Sequence, residues 1–223
     1  MSYEYKQFYR RKLPHIHSPG STLFVTFRLA GSIPKKVLQQ WLAEKSLLAR
    51  QPSTEEIELQ FRRRWFARFE DILDKNATGP RWLADPQIAG IVSDSLIYRD
   101  GRDYLLSAST IMSNHAHAVF TPRLNDRSLT EVRDRNRIAF KSSDPTLSAI
   151  MKSLKGYTAR QANKLLGRTG AFWEEESYDH QVRDEEELGR IVRYVLNNPV
   201  KAGLVEHWSM WPWTYCRPGL GFS

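Results

Sequence analysis

Aromatic and β-branched residues crowd Leu23-Phe24-Val25-Thr26-Phe27-Arg28-Leu29, between Pro19-Gly20 and Gly31. That pattern predicts a first strand. No glycine occurs between Gly31 and Gly79, and Pro52 divides this stretch into two helical segments, about 35–50 and 54–75. The second opens on Ser53-Thr54-Glu55-Glu56, the spacing of a capping box. Asp85-Pro86 supplies an N-cap and a proline at the first helical position, which predicts a helix through about Tyr98. Tyr104 to Ile111 and Ala116 to Phe120, separated by Met112-Ser113-Asn114, read as a hairpin. A polar, charged connection follows from Thr121 to Ser143. Asp144-Pro145 repeats the cap signal and opens a long helix, about 146–167, closed by Gly167 and Gly170. Phe172 to about Val182 is the last predicted strand. Asp184-Glu185-Glu186-Glu187 then caps a helix that should end at Asn197-Asn198-Pro199.

Apart from the added helices, this order is the β-α-β-β-α-β pattern of a ferredoxin-like sandwich. The expected fold is α+β, an antiparallel four-stranded sheet with helices on one face. It implies a domain over residues 1–183 with a helical insertion at about 35–80, and a C-terminal helix and tail over 184–223 packed on the same domain. A chain of 223 residues can bury a sizeable core. With 41% hydrophobic and 26% charged residues it is neither disordered nor fibrous in composition. Cys216 is the one cysteine, which excludes an internal disulfide framework and any multi-cysteine zinc motif and suits a reducing compartment. The first residues, Met1-Ser2-Tyr3-Glu4-Tyr5-Lys6, lack the apolar core of a signal peptide. No apolar run approaches the roughly 20 residues of a membrane span. The expected location is therefore cytoplasmic.

Charge sharpens the picture through its placement. The net charge is +8, with 33 basic and 25 acidic residues. Between Val132 and Arg168 lie Arg133, Arg135, Arg137, Lys141, Lys152, Lys155, Arg160, Lys164 and Arg168, against only Asp134 and Asp144. The segment from Glu174 to Arg190 is acidic. A basic excess gathered in one stretch marks the surface that meets an anion.

Two groups of residues carry candidate chemistry. His115-Ala116-His117 begins an apolar strand, where residues i and i+2 point to the same face, so two imidazoles can converge on one metal ion. Two structural or surface histidines would give the same spacing. His15-Ile16-His17 has that spacing too, but lies between Pro14 and Pro19 without strand periodicity, and reads as structural or substrate-contacting. The second group lies on the basic helix. Tyr157 and Gln161, at i and i+4, share a helix face among Lys152, Lys155, Arg160 and Lys164. A core tyrosine is the competing reading, but the surrounding positive charge and the helix-weakening Gly156 favour an exposed role. The P-loop, the nucleophile elbow and the H-E-x-x-H zinc motif are absent from the sequence. Trp208, Trp211 and Trp213 read as packing for the tail.

Together these residues resemble the single-tyrosine HUH transposases, and most closely the REP-associated tyrosine transposases. His115 and His117 match the HUH pair, Tyr157 the nucleophilic tyrosine, and Gln161 the metal-ligating polar residue four positions after it. Arg10-Arg11-Lys12-Leu13-Pro14-His15 with Phe24-Val25-Thr26-Phe27 is similar to the family's N-terminal signature. Gly170-Ala171-Phe172-Trp173, Tyr178-Asp179-His180, Arg183-Asp184 and Asn197-Asn198-Pro199-Val200-Lys201-Ala202-Gly203-Leu204 resemble its C-terminal half. Two positions depart from the pattern: Ser113 stands where proline is usual, and Ala116 where a bulkier apolar residue is common. Both concern the hairpin's packing rather than a ligand.

The resemblance implies a divalent metal ion, Mg²⁺ or Mn²⁺, held by His115, His117 and Gln161. It implies attack by Tyr157 on single-stranded, hairpin-containing DNA, giving a 5′-phosphotyrosine link and a free 3′-OH. The joining step needs no nucleotide cofactor, since one phosphoester replaces another. Arg10, Arg11 and Lys12 are expected near the foot of the hairpin, and Lys152, Lys155, Arg160 and Lys164 along the strand. The expected state is a monomer, with a homodimer as the alternative, located in the cytoplasm at the nucleoid. A non-catalytic protein that binds structured nucleic acid on a ferredoxin-like sheet is the rival reading. A hydrolase that uses water instead of Tyr157 is a third.

Overall fold

The computed structural model describes residues 20–50, 54–75, 78–123, 130–134, 137–141 and 146–222. The chain forms β1 (Leu23–Arg28), α1 (Lys35–Leu48), α2 (Glu55–Lys75) and α3 (Pro86–Arg99), then the hairpin of β2 (Tyr104–Ile111) and β3 (His115–Pro122). A second hairpin, β4 (Thr130–Asp134) and β5 (Arg137–Lys141), precedes α4 (Leu147–Leu165), β6 (Tyr178–Gln181), α5 (Glu185–Lys201) and β7 (Thr214–Cys216). The main sheet is antiparallel in the order β6-β1-β3-β2-β7. Its first four strands have the ferredoxin-like arrangement, with β1 and β3 central.

Strand alternation sorts the core into two layers. Leu23, Val25 and Phe27 of β1 and Ala116, Ala118 and Phe120 of β3 meet Ile88, Val92 and Leu96 of α3 and Ile150, Met151 and Leu154 of α4. On the other face, Phe24, Ala108 and Val119 meet Val192, Val195 and Leu196 of α5, with Phe66 of α2 against them. Each fully buried Val, Leu, Ile, Phe or Met among these contributes about 1.5–3 kcal/mol. The helices begin where their side chains can satisfy the orphan N–H groups. Asp85 accepts from Gln87 N at 2.8 Å, Thr54 from Ile57 N at 3.3 Å, and Asp184 from Glu187 N at 2.7 Å. For α4 the cap is Thr146, which accepts from Ala149 N at 3.2 Å; Asp144-Pro145 lies outside the described residues. Gly167, at φ +60°, ends α4 as expected.

The two helices of the ferredoxin-like unit, α3 and α4, share one face of the sheet as expected. The added α5 and α2 cover the other, because Phe24 and Val119 are as apolar as their alternating neighbours and need a cover of their own. Three expectations are corrected. A fifth strand, β7, pairs with β2 through Ala108 opposite Cys216 and Thr110 opposite Thr214. The connection from 121 to 143 contains the β4–β5 hairpin. The last strand of the ferredoxin-like unit is confined to 178–181, while Trp173 forms a single bridge to Leu29. In addition, α5 runs through Pro199 to Lys201. There the proline removes one hydrogen bond in the last turn. Burial of Pro199 and bonds from Ala202 N to Asn198 O and Leu204 N to Pro199 O hold the helix end.

The α1–α2 excursion leaves and rejoins the sheet at one place. A Cβ on Gly79, at φ +87°, would stand 2.5 Å from the Gly31 carbonyl oxygen. Only glycine fits that approach. The insertion is thereby tied at its base to the end of β1.

Candidate metal centre and nucleic-acid surface

His115 and His117 open β3, opposite Arg28 and Thr26 of β1. Ala116 points into the α3–α4 layer, so both histidines point into the layer of α5 and α2, and both are buried. Their Nε2 atoms are 3.0 Å apart. The turn before β3 supports them. His115 Nδ1 donates to Asn114 Oδ1 at 2.6 Å, and Asn114 Nδ2 donates to the Leu73 carbonyl at 3.0 Å. That bond puts the lone pair of His115 on Nε2, which faces His117 Nε2. Thr26 Oγ1 lies 2.8 Å from His117 Nδ1, and a hydroxyl supports either tautomer. Ser113, in the usual proline position, is held through its carbonyl by Leu83 N at 3.1 Å.

The third member comes from the insertion. Phe66, Glu70 and Leu73 lie on one stripe of α2 at i, i+4 and i+7. Phe66 stacks on Tyr178 at 4.1 Å and meets Phe24 edge-on at 5.6 Å. Lys201 of α5 binds Asp74 at 2.6 Å. These contacts set Glu70 against the histidines, with its Oε2 at 3.3 Å from His117 Nε2 and accepting a hydrogen bond from the Tyr194 hydroxyl. Glu70, His115 and His117 are all buried, and their ligand atoms lie within 4.8 Å of one another.

Electrostatics keep His115 and Glu70 in ligand form. Burial, with His117 adding to it and Glu70 opposing it, pushes His115 down to about 3, so its imidazole is neutral. Burial by itself would raise Glu70. His117 foremost, with His115 and the Tyr194 hydroxyl, outweighs this and holds the carboxyl down at about 2. Burial and the Glu70 charge raise Tyr194, which stays a donor.

The donor set fits a divalent ion. Two imidazole nitrogens and one carboxylate suit Mn²⁺ or Zn²⁺, and Mg²⁺ less well. Sequence reasoning missed Glu70. Its available signal was an acid inside the apolar stripe of Phe66 and Leu73, but no spacing along the chain ties it to His115.

The other sequence candidates lie elsewhere. α4 buries Ile150, Met151, Leu154 and Ala162 in the opposite layer. Tyr157 is 44% exposed on that helix and Gln161 is half-buried. Each histidine nitrogen is already engaged, by Asn114, Thr26, Glu70 or the other ring, and Gln161 is not among these partners. Lys152, Arg160 and Lys164 are exposed at i, i+8 and i+12, an open cationic stripe beside Tyr157. Lys155 instead donates to the carbonyls of Glu174 and Glu175 at 2.9 and 3.1 Å. Arg168 lies over the Trp82 ring at 4.0 Å. A Cβ on Gly156 would meet only Arg160 Nη1, at 3.7 Å, so packing within the chain does not require the glycine. His180 pairs with Glu187 at 3.0 Å, where Glu187 also accepts from Arg183 N, a helix-start role. Trp211 donates to the Ile111 carbonyl at 3.0 Å, and Trp208 and Trp213 pack on the two core layers. Arg10, Arg11, Lys12, His15 and His17 lie outside the described residues. No described helix is long and apolar enough to cross a membrane.

No family model and no curated protein matches the chain. A solved structure described as a REP-associated tyrosine transposase bound to a REP hairpin is similar to it at 16% identity and a TM-score of 0.49, over 94% of this chain and 82% of the other. Likeness at that level assigns no activity, so function rests on the residues of the chain itself.

Proposed function

We propose that this chain is a metal-dependent HUH-type enzyme that nicks and rejoins single-stranded, hairpin-containing DNA. The observation that carries the reading is the buried convergence of His115 and His117 with a carboxylate, on the strand and at the spacing that the motif resemblance implies. A divalent ion held by Glu70, His115 and His117, with Gln161 as a further candidate, supplies Lewis-acid polarisation of a phosphodiester oxygen.

The chain's own residues do the rest. The Tyr157 oxygen attacks phosphorus, the P–O3′ bond breaks, and the phenolic proton ends on the released 3′-OH, leaving a 5′-phosphotyrosine link. Lys152, Arg160 and Lys164 favour both the phosphate and the developing phenolate. Rejoining is the same exchange run backwards and consumes no nucleotide. Tyr157 is exposed on α4 and the histidines lie under α2, so the two meet on one phosphate when these elements rearrange around DNA or when a second copy supplies the tyrosine. Mixing Tyr157→Phe and His115→Ala proteins separates these cases, because recovered activity requires exchange between copies.

The test is a denaturing gel of labelled hairpin DNA with Mn²⁺. The wild type forms a protein–DNA adduct that Tyr157→Phe does not, and an adduct in that variant refutes the assignment. His115→Ala loses cleavage and largely keeps hairpin binding. The closure of every histidine nitrogen within the protein favours a second reading, a non-catalytic nucleic-acid binder with a structural Glu–His network. It requires binding that is indifferent to divalent ions, with no adduct.

A further inference from the structure

The helical insertion encloses a cavity of about 280 Å³ between α1, α2 and the chain leading into β6. Trp41 of α1, Phe61 and Phe69 of α2 and Tyr178 line it, and Arg28 and Thr26 of β1 lie at its floor. The cavity adjoins the Glu70–His115–His117 group directly. Glu70 is part of its wall, and Thr26 supports His117 from the same floor.

The lining specifies a kind of ligand. Its walls are aromatic, and Trp41 and Phe69 hold each other edge-on with centroids 5.9 Å apart, a rigid surface for a flat ring. Arg28 faces the same space. Its guanidinium pairs with Glu174, Nη1 to Oε1 at 3.2 Å, and so brings a held cation to this face. Lys45 and Arg62 also line the cavity, as do Glu58, Glu176 and Asp179, so its charge is mixed and the aromatic wall sets the choice of ligand. A flat ring that a nucleic-acid strand would carry to a site beside the Glu70–His115–His117 group is a nucleobase.

We infer that this cavity takes one unpaired nucleobase, that of a nucleotide next to the phosphate at the Glu70–His115–His117 group. The inference rests on the nickase reading, because that reading brings a single strand to this group. An extruded base gains stacking on the aromatic wall and an edge contact to Arg28, as bases do in sites that bind unstacked strands. The insertion thus reads one position of the strand.

The experiment uses the full chain and the tightest-binding DNA hairpin with single-stranded flanks selected from a randomised pool. Each flank nucleotide is replaced in turn by an abasic site, and affinity is measured with Tyr157→Phe protein so that cleavage does not interfere. The expected result is a loss of about 5- to 150-fold, the cost of one stacked base, confined to one position. That loss should shrink in Trp41→Ala and in Arg28→Met, each added to the Tyr157→Phe protein. A uniform loss, or a positional loss unchanged by both substitutions, overturns the pocket. Adduct formation by the wild type on the same DNA then leaves the nickase reading standing. A positional loss that shrinks as expected, without any adduct, supports the pocket and removes the nickase reading. Absence of hairpin binding overturns both.

Discussion

Replacing Glu70 by glutamine separates a metal ligand from a structural carboxylate. The amide retains an oxygen for the Tyr194 hydroxyl and nearly the same volume, but removes the charge. In the wild type, free Mn²⁺ at about a hundred times its Kd stabilises the fold by about 2.7 kcal/mol. For a chain of this size that raises Tm by about 5–11 °C. Losing a ligating group weakens the site at least as much as losing a supporting one, about 10- to 100-fold. At the same Mn²⁺ the variant then retains about half of the wild-type gain or less. The assay is thermal unfolding of both proteins across a Mn²⁺ titration, each referred to its own metal-free Tm. Equal gains in the two proteins, or no gain in the wild type, would refute the assignment of Glu70 as a ligand. A large loss of metal-free stability with an unchanged metal gain would mark Glu70 as the structural partner of His117, since breaking a buried ion pair costs about 3–5 kcal/mol.

Without metal, stability should fall as pH drops from about 6.5 toward 3. Over that window the unfolded chain protonates His115 while burial keeps the folded imidazole neutral. Glu70 adds to the loss from its ordinary 4.5 down toward 2, because its folded form holds the charge; urea unfolding across pH measures both, and a flat profile contradicts the burial argument. Changing Lys152, Arg160 and Lys164 together to alanine should flatten the salt dependence of single-strand binding by about two units of slope, at about 0.7 per phosphate contact. An unchanged slope would place the DNA elsewhere. Asp184→Ala should cost about 0.5–2 kcal/mol in urea unfolding through loss of the α5 cap, with Asp184→Ser restoring most of it.

Local rules made much of the fold legible. β1, the β2–β3 hairpin, the Asp85-Pro86 start of α3 and the Gly167 end of α4 each follow from a few neighbouring residues. The hairpin at 130–141 escaped notice because its polar, charged sequence has little apolar alternation to mark strands. β7 is three residues long, and only its place beside Ala108 and Thr110 makes it a strand. Local sterics argue against a helical proline, so Pro199 predicts a stop. Burial of the last turn against the sheet decided otherwise.

The candidate centre divides along the same line. His115 and His117 were readable because strand geometry alone sends i and i+2 to one face, and Tyr157 and the cationic stripe because a helix places i, i+4 and i+8 together. Which face of the sheet the histidines occupy, and that Glu70 meets them there, are facts of tertiary structure. They depend on Gly79 closing the insertion onto Gly31, on Phe66 packing against Phe24, and on Asn114 bridging Leu73 to His115. The sequence by itself determined the ligand types and the periodicities that group neighbours. Only the packing of a distant helix, through contacts between residues 41 or more positions apart, decided which carboxylate shares their site, since chain spacing carries no information about such contacts.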